Sequence, residues 1–190
     1  EATEELQNLP LYIDDTGGLP IGSLMARCRH LKRTIGLDMV VVDYLQLVTG
    51  SKSSGENRVQ EISEVTQALK ALAKELSVPV IALSQLSRQV EQREDKKPQL
   101  SDLRESGSIE QDADVVLFVY RESYYLERLE PKEGTEQHLA WEDEMREIRN
   151  QADVIIGKQR HGPIGSVKVA FDPDRTKFSD LDYSGRQDHE

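Results

Sequence analysis

The chain has 190 residues, 37% of them apolar and 31% charged, with 24 basic against 35 acidic side chains and a formal net charge of −11. A chain of this size fits one domain and buries enough surface to hold a core without disulfide or metal staples. No apolar run approaches ~18 residues, which excludes a membrane span, and the acidic balance argues against a general nucleic-acid coat.

The start, EATEELQNLP, has neither a basic head nor an apolar stretch, so no signal peptide is visible. Cys28 is the single cysteine, which removes internal disulfides and any cysteine-built zinc site and points to the cytosol. Ile21, Leu24, Cys28, Leu31 and Ile35 recur at steps of three and four, a helical stripe that Gly36 should end. Met39 to Val42 is apolar without alternation and should form a strand buried on both faces, ending at Asp43. A polar loop, TGSKSSGEN, leads to a helix over about Arg58 to Leu76, with Val59, Ile62, Val65, Leu69, Leu72 and Leu76 on one stripe and Asn57 with Gln60 as its cap.

Val80 to Leu83 is a second continuous strand, ending in Ser84 and Gln85, and residues 87–108 read as loop. Apolar runs follow at Val115 to Val119 and at Val154 to Ile156, the latter ending at Gly157 and Lys158. Between them, residues 121–150 look inserted: acidic, tyrosine-bearing and helical around Trp141 to Ile148. Val167, Val169 and Phe171 alternate with polar or small residues, as in an exposed antiparallel strand, and GPIG at 162–165 supplies the turn before it. Helix and buried strand in alternation give an α/β fold with a mostly parallel sheet, helices on both faces and an antiparallel hairpin at the end. Chemistry in such sheets collects beyond the carboxyl ends of the strands, which directs attention to Asp43, Gln85, the segment after Val119 and Lys158.

An aspartate ending a buried strand can orient water or a metal on nucleotide phosphates, and can equally be a plain turn residue. Lys158 and Arg160, two apart on an extended segment, should project together beyond the sheet; the bland reading is a basic hairpin that keeps an edge strand soluble. In RESGS, residues 104–108, Arg104 can meet a phosphate and Gly107 lets a backbone N–H approach one, while Glu105 positions the loop; a solvated loop is the rival. Only ten residues are aromatic and none lies in that loop, which disfavours base stacking and leaves backbone tracking. His161 reads as a polar turn residue and Cys28 as packing only.

VVVDYLQLV at 40–48, IALSQLSR at 81–88, SDLRESGSIEQDADVV at 101–116 and IIGKQRHGPIG at 155–165 occur in one order. Together they resemble the C-terminal ATPase domain of the DnaB-type bacterial replicative helicases, a RecA-like fold, from about Leu11 to Leu181. YYLERLEPKEGTEQHLAWEDEM resembles an insertion carried by some bacterial members. The chain departs from the family pattern in lacking a GxxxxGKS or GxxxxGKT phosphate loop and a catalytic glutamate ahead of Asp43; Gly50-Ser51-Lys52-Ser53 is a superficial imitation. Residues 1–190 are therefore expected to be a single partial motor domain, truncated at its N-terminus and inactive alone.

The resemblance implies ATP and Mg2+ as cofactors, with Asp43 holding the metal through water and Gln85 sensing the γ-phosphate. It implies that Lys158 and Arg160 reach ATP on the next subunit, Arg160 as an arginine finger, and that Arg104, Glu105 and Gly107 line a DNA channel. The implied assembly is a homohexamer on single-stranded DNA with primase and a helicase loader, in the nucleoid-associated replisome of the bacterial cytoplasm. The rival functions are a non-catalytic DNA- or protein-docking module and a RecA-like recombinase.

Overall fold

The computed structural model describes residues 9–50 and 58–181, with only the backbone of 104–106. Residues 51–57 lie outside that description, and with them Ser51, Lys52 and Ser53 of the imitation loop and the Asn57 cap. The chain forms two compact units, residues 1–85 and 86–190.

In the first unit α1 spans Ile21–Thr34, β1 Val40–Val42, α2 Arg58–Leu76 and β2 Val80–Ala82. The stripe read from the sequence is the buried one: Ile21, Leu24 and Cys28 on α1, and Ile62, Val65, Leu69 and Leu72 on α2. Burial raises the Cys28 thiol pKa, as befits a packing residue. Across the two helices the Arg29 guanidinium forks the Glu75 carboxylate, Nε to Oε1 at 2.6 Å and Nη2 to Oε2 at 2.7 Å. Gly36 takes φ +92° just past α1, a left-handed position open to glycine. β1 and β2 pair in parallel, Val40 with Val80, Val41 with Ile81 and Val42 with Ala82, joined through α2 as a β-α-β unit.

The burial of β1 differs from expectation. Val40 and Val42 are buried but Val41 is 58% exposed, and Ile81 on β2 and Leu83 just past it are exposed too. The apolar run encodes cover on two faces, and the helices of this unit supply cover on one.

The second unit holds α3 (Gly107–Asp112), β3 (Val115–Tyr120), α4 (Glu122–Leu126), α5 (Glu136–Ile148), β4 (Gln151–Gln159), β5 (Gly165–Asp172) and β6 (Lys177–Ser179). Its sheet runs β3-β4-β5-β6 with every neighbour antiparallel. Among the described residues parallel pairing is thus limited to β1 with β2 and an isolated bridge between Pro20 and Thr49, and the antiparallel part exceeds the terminal hairpin expected. β3 alternates, with Val116, Phe118 and Tyr120 buried and Val115, Leu117 and Val119 exposed. A bulge interrupts the β3–β4 ladder between Val116 and Leu117, opposite Gly157. A Cβ at Gly157 would stand 2.5 Å from Phe118 Cε2, so a glycine lets the ring lie against the strand.

Two further differences concern local signals. Residues 87–108 are not plain loop: short 3₁₀ turns cover Arg88–Gln92 and Leu100–Ser106, the second opened by a reciprocal cap between Gln99 and Asp102. The helix around Trp141 begins at Glu136, because Thr135 Oγ1 accepts from the His138 N–H at 3.2 Å and caps it. Trp141 Nε1 donates to the Leu126 carbonyl at 2.9 Å, tying α5 to α4, and Tyr120 and Tyr125 stack at 5.7 Å. Burial, with Glu122 next, pushes the Tyr120 phenol up to about 12.

Candidate functional site

Parallel pairing brings the two strand-end residues of the first unit side by side. Asp43 follows Val42 and Gln85 lies three residues beyond Ala82, and the strands pair up to Val42 and Ala82. The ladder is prolonged past the strand ends: Leu83 N–H donates to Val42 O at 2.9 Å and Leu45 N–H to Leu83 O at 2.9 Å. The Asp43–Tyr44 peptide is cis. Gln46 then bridges the two tips, its Nε2 donating to Ser84 Oγ at 3.1 Å and to Gln85 O at 3.4 Å while its Oε1 accepts from Gln85 N at 3.4 Å.

The turn bearing Gln46 is itself anchored to α2. Arg58 Nη2 donates to Gln46 O at 2.6 Å, and Gly50 N–H donates to Glu61 Oε1 at 3.0 Å. The Gly50 amide, and after it Arg58, hold the Glu61 carboxyl below the usual carboxylate range. The result is a rigid shelf under two exposed polar side chains, Asp43 and Gln85.

Among the described residues no group of three or more His, Cys, Asp or Glu side chains could hold a metal unaided. Mg2+ at a nucleotide keeps several waters and takes one or two carboxylates plus phosphate oxygens rather than a full protein cage. Asp43 fits as that carboxylate: exposed, fixed by its strand, and engaged by no hydrogen bond or ion pair of a described residue.

In the second unit the two cations at the end of β4 have different surroundings. Arg160 is half exposed and its guanidinium meets Asp114 at 3.3 Å, while its N–H donates to Asp114 O at 2.9 Å. Lys158, expected to project with it, instead turns its ammonium onto the carboxyl end of α3. Nζ donates to the carbonyls of Glu110, Gln111 (3.4 Å) and Ala113 (2.8 Å). The bulge at Gly157 and the pairing of Lys158 with Val116 place it there.

Arg104 and Glu105 lie in the 3₁₀ turn Leu100–Ser106, their side chains outside the described set. Gly107 opens α3 with φ −50° and ψ −21°, and a Cβ there would meet nothing within 4 Å. Neither backbone conformation nor packing requires a glycine at that position, which leaves an open approach to the backbone.

Two contributions escaped the sequence reading. Gln46 had a visible signal, an amide three residues past the strand-end aspartate, but its partner lies 39 residues on. Arg93 and Asp102 form a forked pair, Nη1 to Oδ1 and Nη2 to Oδ2 both at 3.0 Å, with Asp102 only 5% exposed. Asp102 also accepts from Gln99 N–H at 2.8 Å, and its own carbonyl accepts from Ser87 N–H at 3.0 Å. This clamp sits two residues before Arg104 and sets the base of its loop.

Residues 1–180 match the family described as the DnaB-like helicase C terminal domain. The replicative DNA helicase DnaB of Rickettsia conorii is 56% identical over 177 residues, 93% of this chain and 36% of that protein. Its counterpart in Geobacillus stearothermophilus is 51% identical over 181 residues, 95% of this chain and 36% of its own. The chain thus spans little more than a third of the length of these relatives. Among solved structures, an ATPase domain is 42% identical at a TM-score of 0.78, covering 95% of this chain and 58% of that one. A DnaB-like replicative helicase, solved for its structure and its interactions with primase, is 41% identical at a TM-score of 0.78, covering 95% and 40% respectively. The α/β fold is that of the RecA-like ATPase domains of this group. By its sequence over residues 1–180, the chain belongs to the DnaB-like helicase C-terminal domain family.

Proposed function

We propose that this chain is part of the motor domain of a ring-shaped hexameric replicative helicase, which couples ATP hydrolysis to translocation on single-stranded DNA and to duplex unwinding. The observation that carries this reading is the pair of strand tips: Asp43 and Gln85 beyond adjacent parallel strands, held in one frame by Gln46. Asp43 would hold Mg2+ through water, and the bound metal would neutralise phosphate charge. The Gln85 amide would donate to a γ-phosphate oxygen and, being neutral, would report its loss without a charge penalty. Gln46 keeps Gln85 at the depth of Asp43.

Arg160 suits a role in trans. Its pair with Asp114 is exposed, at 3.3 Å, and worth ~0–1 kcal/mol, so a phosphate on a neighbouring subunit can displace it at little cost. Arg104, Glu105 and Gly107 are taken as the DNA-tracking loop, and residues 121–150 as an acidic insertion in a single motor domain. The proposed partners are single-stranded DNA, sister subunits, primase and a loader. The proposed place of action is the replisome in the bacterial cytoplasm; no helix among the described residues is long and apolar enough to cross a membrane.

The test is ATP-dependent unwinding of a forked duplex by the full-length protein. Asp43→Ala should abolish hydrolysis and unwinding, and the 190-residue chain by itself should hydrolyse no ATP, having no phosphate loop in its sequence. Unwinding that survives Asp43→Ala would instead favour the docking-module reading.

A further inference from the structure

We propose that Lys158 is a positioning residue with two mutually exclusive partners: the carboxyl end of α3, and nucleotide phosphate on a neighbouring subunit. Its exchange between them would couple the 104–107 loop to the nucleotide across the interface; this rests on the trans site proposed above. An ammonium has three donors and no more. Here they are directed at three carbonyls, those of Glu110, Gln111 and Ala113. Lys158 therefore cannot reach a phosphate without leaving the helix end it caps.

That helix is short, Gly107–Asp112, six residues. A helix leaves its last four carbonyls without intrahelical partners, so in α3 the carbonyls concerned make up most of the element. Its first residue, Gly107, belongs to the segment proposed to track DNA, and Ala113 and Asp114 follow its last. Arg160 is stitched to that same exit, through its N–H on Asp114 O at 2.9 Å and its guanidinium on the Asp114 carboxylate. The end of β4 thus grips the carboxyl end of α3 while the loop occupies the other end. A phosphate that draws Lys158 away uncaps α3 and loosens the loop's support. By reciprocity, whatever the loop binds must bias Lys158 between its partners.

Hydrogen exchange on the full-length assembly tests this, read at the backbone amides of residues 110–113 with and without a non-hydrolysable ATP analogue. In the wild type the analogue should speed exchange there by about five- to tenfold, the lower range of allosteric couplings. Lys158→Met should exchange fast in both conditions, and its single-stranded DNA affinity should lose its dependence on nucleotide. Gln111→Gly, an exposed change in α3 that touches no phosphate, should mimic this loss while ATP binding is retained. If Lys158→Met lowers ATPase but wild-type exchange ignores the analogue, the coupling is overturned and the trans site stands. If Lys158→Met leaves ATPase unchanged, Lys158 has no phosphate partner and the exchange is overturned, while the trans role of Arg160 is judged by its own variant.

Discussion

Removing the Asp102 carboxylate strips three contacts from the base of the loop that carries Arg104: both arms of the Arg93 fork and the Gln99 N–H. Breaking a fully buried pair by deleting one partner costs ~3–5 kcal/mol. Asp102→Ala strands Arg93, but its side chain is 30% exposed and keeps the carbonyls of Asp95 and Lys97, at 3.2 and 2.7 Å. About 2 kcal/mol is the remaining cost, to which a lost cap adds ~1. Arg93→Met strands the other partner, a carboxylate 5% exposed with a single amide left, and should cost more, nearer 4 kcal/mol. Because the two residues act on each other, the double variant should fall short of the summed singles by ~1–3 kcal/mol.

Native-state hydrogen exchange at the amides of Ser87, Gln99 and Asp102 reads this directly. A local cost of about 3 kcal/mol should speed exchange roughly a hundredfold. Single-stranded DNA binding should weaken too, although neither residue is proposed to touch DNA. Exchange altered less than about fivefold by both single variants would refute the clamp, as would strict additivity in the double.

Arg104→Ala in the full-length protein should weaken binding to all single-stranded sequences alike and reduce the salt slope by about one, as for a single phosphate contact; filter binding across salt concentrations checks both. Gly157→Ala should destabilise by ~1–3 kcal/mol in denaturant melts, because its Cβ drives into the buried Phe118 ring. Acid should act through Glu61. Its carboxyl, held low by the Gly50 amide and Arg58, stays ionised when folded at a pH where the unfolded one, near about 4.3, takes up a proton. Its contribution is present above that value and lost as pH falls through the folded one, so Glu61→Gln should show a shallower loss of stability on acidification.

How much was legible follows from how far apart the partners lie. α1 and α2 were read within a residue or two, since their stripes repeat every three or four positions and glycine marks the end of α1, whereas the first five residues of α5 were missed. Asp43 and Gln85 were legible as strand tips, because a short apolar run that breaks off into polar residues carries that meaning locally. The open faces of β1 and β2 were not, since an apolar run records the cover it is suited to rather than the cover one unit provides. β3 misled for a related reason: Val115 to Val119 reads as continuous, and only its partner β4 shows which residues face inward. Lys158 and Arg160 were placed together by their spacing, yet the bulge at Gly157 turned one onto α3 and left the other half exposed. The Arg93–Asp102 fork spans nine residues of charged, irregular chain, in which several other pairings were equally open to the sequence.

The central claim, a nucleotide site shared between subunits and completed by Arg160, is tested most directly by mixing two defective full-length proteins. One carries Arg160→Ala and the other lacks its phosphate-loop lysine, with subunit exchange first established using labelled protomers. Each alone should hydrolyse almost nothing, since an arginine supplied in trans is worth ~10³-fold or more. In the mixture some interfaces pair an intact loop with an intact finger, and ATPase should return to a level that peaks at an intermediate ratio. If exchange is complete and no activity returns at any ratio, Arg160 does not act across the interface.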